Sequence, residues 1–79
     1  MDELKQAKKV VGLNQTVKAI EEKLAKRVYL AEDADPKLCE RIIRLCEENG
    51  VSVTMVTDMK QLGRACGIDV KAAMACVIE

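Results

Sequence analysis

Short apolar runs alternate along these 79 residues with segments whose apolar residues recur at helical spacing. This alternation limits the fold more than any other feature. Leu4 and Ala7 lead at that spacing into Val10 and Val11, which predicts a short helix over residues 3–9 passing into a short strand before Gly12. Val17, Ile20 and Leu24 form a second apolar stripe, on a helix over residues 14–26. "RVYLA" (27–31) holds β-forming residues in a compact apolar run and reads as a buried strand. "EDADP" (32–36) is a loop by composition, with Pro36 suited to the first turn of the next helix and Asp35 to its N-cap. That helix is the clearest in the chain. Leu38, Cys39, Ile42, Ile43, Leu45 and Cys46 make one broad apolar face, while Glu40, Arg41, Arg44, Glu47 and Glu48 cover the other. Gly50 then supplies a left-handed C-cap. "VSVTMV" (51–56) alternates as a strand does. Asp58 heads a short helix over residues 59–66 that Gly67 closes. "KAAMACVI" (71–78), small and apolar on both faces, reads as an inner strand.

Read in order, the elements are α-β-α-β-α-β-α-β. Such alternation predicts an α/β fold, a three-layer α/β/α sandwich around a small four-stranded mixed sheet. The whole chain, 1–79, is expected to be one domain with short loops and no repeat or linker. Its core must be built from Val, Ile, Leu, Ala, Met and Cys, because Tyr29 is the only aromatic residue. That shortage also excludes an aromatic platform for stacking single-stranded bases.

An enzyme finds little to work with. There is no histidine to act as a base, and Ser52, the only serine, falls mid-strand. "GLNQT" is neither G-x-G-x-x-G nor a Walker loop. Cys39, Cys46, Cys66 and Cys76 form no C-x-x-C pair, so they read as small buried hydrophobes in a reducing compartment, with no metal and no cofactor expected. Glu32, Asp33 and Asp35 could be an acid/base or metal cluster, but acids in a loop before a helix more often solvate and cap it. The charged start "MDELKQAKK" predicts neither a signal peptide nor a membrane span, and hence a cytoplasmic protein.

The net charge is zero, yet unevenly spread. Residues 1–27 hold seven basic side chains against four acidic, and residues 28–79 hold six against nine. A neutral chain with one basic face can still bind nucleic acid. The segment "VVGLNQTVKAI" (10–20) is the place to look. At about 100° per helical residue, Asn14, Gln15 and Lys18 share an arc turned away from Val17, Ile20 and Leu24. They stand at a helix N-terminus, where unpaired N–H groups and a positive dipole attract phosphate. Asn and Gln amides both donate and accept, which suits base edges. Equally, Asn14 could be an N-cap with two solvated neighbours. In "LGRACGIDV" (62–70), Ile68 and Val70 are either core or a small apolar face for stacking.

Taken together, "GLNQTVKAIE", "LAEDADP" and "LGRACGIDVKAA" resemble, in order and spacing, the signature segments of the L-seven-Ae kink-turn RNA-binding family, nearest to its short bacterial members. The likeness spans Leu4 to Ile78. It implies an α/β/α sandwich that binds kink-turns, RNA elements bent sharply by a bulge beside tandem sheared G·A pairs. By resemblance, Asn14, Gln15 and Lys18 stand where guanine-contacting residues stand, and Gly12 where a glycine allows close backbone approach. Asp35 matches an acidic position near the flipped-out bulge nucleotide, and Ile68, Asp69 and Val70 match the loop that packs on it. Lys60 and Arg64 would meet phosphates. Leu13, Gln15 and Glu22 depart from the residues common at those positions. The expectation is a monomeric, non-enzymatic, ribosomal-protein-like factor whose partner is structured RNA, with the ribosome as a candidate host. A protein-interaction or assembly module on the same fold is the alternative, suggested by Glu22 and the zero net charge.

Overall fold

A computed structural model describes residues 2–78. Its elements run α1 (Asp2–Gln6), β1 (Lys9–Val11), α2 (Leu13–Glu21), β2 (Arg27–Ala31), α3 (Pro36–Asn49), β3 (Ser52–Val56), α4 (Met59–Ala65) and β4 (Met74–Val77). The four strands form one mixed sheet in the order β1-β4-β2-β3. β2 and β3 run parallel, and β4 is antiparallel to both β1 and β2. The last strand in sequence is therefore an inner strand in space. All four of its residues are buried, which is why "MACV" is apolar on both faces.

Alternation along the two inner strands splits the core in two. Val28 and Leu30 of β2, with Met74 and Cys76 of β4, face Ala19 and Ile20 of α2 and Ile42 and Cys46 of α3. Tyr29, Ala31, Ala75 and Val77 face the other way, toward Leu4 of α1 and Leu62, Ala65 and Cys66 of α4. Helices thus cover both faces of the sheet, the three-layer arrangement expected from the alternation.

Helix ends follow local chemistry. The Asp35 carboxylate accepts the Lys37 N–H at 2.8 Å and Pro36 opens α3, while Gly50 closes it in the left-handed region at φ 67°, ψ 30°. Asp58 accepts the Gln61 N–H at 2.7 Å and caps α4.

Several boundaries differ from those expected. α2 ends at Glu21 rather than residue 26, because Lys23 turns left-handed at φ 60°. The Lys23 and Leu24 N–H groups fold back onto the Ile20 and Ala19 carbonyls at 3.1 and 2.9 Å, a Schellman motif without its usual glycine. Leu24, expected in the core, is consequently 50% exposed. α1 stops at Gln6, and Lys9 belongs to β1, opposite Val77. β4 begins at Met74 rather than 71, since the Ala72 N–H donates to the Met59 carbonyl at 3.1 Å and holds residues 71–73 against α4. β3 starts at Ser52 and α4 ends at Ala65, each one residue inside the expected bounds.

The buried face of α2 holds one anomaly. Thr16 is fully buried, and its Oγ1 has no hydrogen-bond partner among the described residues. Removing a buried, unpaired hydroxyl while keeping its shape relieves a desolvation penalty of about 1–3 kcal/mol. Valine keeps the β-branch, so helix propensity changes little. Thr16→Val is expected to stabilise the protein by about 1 kcal/mol, read as a higher urea midpoint at unchanged slope. A lower midpoint would mean that the hydroxyl is satisfied in solution.

Candidate nucleic-acid interface

The sheet register brings four chain segments to one end of the molecule. Val11 lies opposite Ala75, Leu30 opposite Met74 and Ala31 opposite Val56. The C-terminal ends of β1, β2 and β3 therefore meet the N-terminal end of β4. From this end emerge Gly12 with the start of α2, the 32–35 loop, the start of α4 and the 66–73 loop. Cross-bonds fasten these segments together. The Gly12 N–H donates to the Met74 carbonyl at 3.0 Å, the Ala31 N–H to the Ala73 carbonyl at 2.9 Å and the Glu32 N–H to the Val56 carbonyl at 2.8 Å. The Asp33 carboxylate accepts the Met59 N–H at 2.9 Å, tying the 32–35 loop to α4.

At Gly12 the backbone adopts φ 102°, ψ 164°, a region essentially reserved for glycine, and the space beyond its Cα is open. Gly12 is itself the N-cap of α2, and no side chain caps that helix. Asn14 is therefore not the cap. It sits in the first turn beside Gln15, with Lys18 one turn on, and all three are exposed. The opposite face of the helix buries Thr16, Ala19 and Ile20. Two amides and an ammonium are thus presented beside the uncapped end of a helix, where peptide N–H groups have no intrahelical acceptor.

Lys60 and Arg64, one turn apart on α4, face Ile68, Asp69, Val70 and Lys71 across a surface hollow of about 750 Å³. Three cations against one carboxylate make this hollow electropositive. Val70 stands 68% exposed at its lip. Ile68 does not join it fully, because it is half-buried and packs onto the core between the sheet and α4. Of the two alternatives for these residues, Ile68 is mainly core and Val70 is surface. Lys71 was not singled out from the sequence; only its place across from Lys60 and Arg64 marks it. Asp35 lies in the linking loop with its carboxylate occupied in capping α3, and Asp33 is likewise engaged with Met59.

The cysteines are free thiols. Cys46, Cys66 and Cys76 are buried and Cys39 is partly so. Burial pushes the thiols of Cys46 and Cys66 up, and that of Cys76 up to about 11 with a smaller push from Cys46. Burial raises Cys39 too, aided by the negative charge of Asp35. Such thiols are poor nucleophiles near neutral pH. Among the described residues, no helix is long and apolar enough to cross a membrane.

A mixed four-stranded sheet between two helical layers, with amides, cations and a glycine at positive φ gathered at one end, defines a small α/β/α fold. The chain belongs to the ribosomal protein L7Ae/L30e/S12e/Gadd45 family, whose model matches residues 1–79. It is 41% identical over 78 residues to an RNA-binding protein of Bacillus pumilus, covering 98% of this chain and 95% of the relative. An RNA-binding protein of Geobacillus sp. strain WCH70 is 45% identical over 76 residues, covering 96% and 93%. Among solved structures, the 15.5kD RNA binding protein of Giardia lamblia superposes with a TM-score of 0.89 at 28% identity, over 99% of this chain and 69% of that one. A Bacillus halodurans protein of unknown function shares the fold at a TM-score of 0.91 and 24% identity, over 99% of this chain and 82% of that one.

Proposed function

We propose that this is a non-enzymatic RNA-binding protein that recognises kink-turns and holds the RNA in its bent form. The observation that carries the reading is the gathering of Gly12, Asn14, Gln15 and Lys18 with Lys60, Arg64 and Val70 at one end of the sheet. RNA-binding relatives of nearly the same length support it. Asn14 and Gln15 amides suit the exposed edges of sheared G·A pairs, which offer donors and acceptors together. Lys18, Lys60 and Arg64 suit phosphates on either side of the bend. Val70 suits the face of an unpaired base. Because such a protein binds the bent state better than the extended one, binding shifts the RNA toward the bend. We further read it as a single-domain, cytoplasmic monomer.

Titration against a kink-turn duplex, and against the same duplex with its G·A pairs made Watson–Crick, tests the reading. Preference for the kink-turn by at least a hundredfold is expected, since several base-edge contacts are lost at once and each is worth about 1–3 kcal/mol. Equal affinities would sink it.

A further inference from the structure

Gly63 sits in the middle of α4, buried and at an ordinary helical φ. Conformational freedom does not explain a glycine there, and in a plain helix interior alanine would be the more stable residue. Its neighbour explains it. The 66–72 loop folds back across α4, pinned at one end where the Ile68 N–H donates to the Gly63 carbonyl at 3.1 Å and at the other where the Ala72 N–H donates to the Met59 carbonyl at 3.1 Å. Between these pins the backbone of Val70 and Lys71 lies directly on the helix at Gly63. A Cβ added there would overlap the Val70 carbonyl oxygen and come within 3.1 Å of its carbon and 3.4 Å of the Lys71 Cα. These are backbone atoms, so the loop as a whole would have to lift.

Lys60 and Arg64 flank Gly63 on the same helix, and Val70 and Lys71 form the opposite wall of the hollow. The closeness of the crossing therefore sets the width of that hollow. We infer that Gly63 is a positioning residue, and that it holds the exposed Val70 side chain and the Lys71 ammonium at the spacing from Lys60 and Arg64 needed to grip one unpaired nucleotide. The apolar lip takes the base and the cations take its phosphates. The inference rests on the RNA-binding reading, and what it adds is the part played by Gly63 in spacing the α4 side of the edge.

The test compares binding to a kink-turn duplex with binding to a duplex that keeps the tandem G·A pairs and lacks the bulge. Gly63→Ala is expected to lower affinity for the kink-turn at least tenfold and to leave that for the bulge-free duplex within about twofold. A merely structural role would lower both alike. Val70→Ala is expected to weaken kink-turn binding several-fold in the wild-type protein and to add nothing in the Gly63→Ala background, since the lip is already displaced. Inserting one glycine between Val70 and Lys71 moves the same backbone without touching α4. The same selective loss is expected, and this variant carries the test if Gly63→Ala does not unfold cooperatively. Unchanged kink-turn binding in both loop-displacing variants overturns the inference, as does additivity of Gly63→Ala with Val70→Ala. A wild-type protein that fails to prefer the kink-turn over its Watson–Crick counterpart overturns the RNA reading itself, and the inference with it.

Discussion

Asn14→Ala combined with Lys18→Ala is expected to lower affinity for a kink-turn by roughly a hundredfold, the two substitutions failing in different ways. Asn14 is exposed in the first turn of α2 and caps nothing, so its removal leaves the helix end as it was. What is lost is one amide contact to a base edge, worth about 1–3 kcal/mol or some ten- to a hundredfold. The loss falls on the kink-turn and spares the Watson–Crick duplex, so discrimination drops with affinity. Lys18 is exposed one turn further on, and its removal takes away a charge rather than a reading group. Binding to both RNAs is expected to weaken several-fold, and the slope of log K against log salt to fall by about one. Titrations at four salt concentrations separate the two signatures. If Asn14→Ala and Lys18→Ala change the same quantity, or neither changes any, the α2 end is not the reading surface.

The two halves of this edge differed in how far the sequence exposed them. On the α2 side, Asn14, Gln15 and Lys18 separate from the buried residues by helical periodicity alone. That signal is local and the structure keeps it. What periodicity left open was whether Asn14 capped the helix. The answer depends on the backbone angles at Gly12, which one residue type permits but does not reveal. α3 was legible end to end because Asp35, Pro36 and Gly50 act within a few residues of themselves. α2 was not, because its end is a Schellman turn at a lysine, where no glycine marks the reversal.

On the α4 side the decisive facts are long-range. Ile68 and Val70 have similar side chains two residues apart. Only the fold-back of the 66–72 loop decides that one packs on the core and the other stands free. Lys71 looked like the first residue of a strand until the Ala72–Met59 bond placed it in the loop. Nothing local marks Gly63; only the crossing of the 66–72 loop over α4 does. The strand order, with β4 between β1 and β2, brings the two sides of the edge together, and no local pattern specifies it.

Raising the pH from 9 to 11 is expected to remove roughly 2 kcal/mol of stability through Cys76. The thiol is fully buried on the inner strand β4, in the same cluster as Cys46, and burial holds its folded-state pKa at about 11 against an ordinary 9.0. The sign follows from which form the fold prefers. The folded state favours the neutral thiol. Below the unfolded pKa both states are protonated and the full stability is present. Above it the unfolded chain ionises while the folded chain does not, so stability falls until the folded pKa is passed. Two pKa units correspond to about 2.7 kcal/mol, a large share of the 5–15 kcal/mol typical of a small domain. Cys46 and Cys66 act in the same direction, with the positive charge of Lys9 partly offsetting the effect at Cys66. The quantity to measure is a difference between two proteins. Urea midpoints for the wild type and for Cys76→Ala, taken at intervals from pH 7 to 10.5, should start apart because the variant has a cavity, and then converge as the wild type loses its thiol advantage. Curves that stay parallel would show that Cys76 ionises as readily inside the protein as outside. In that case the sheet interior beneath α2 and α3 would be far more accessible to water than its packing implies.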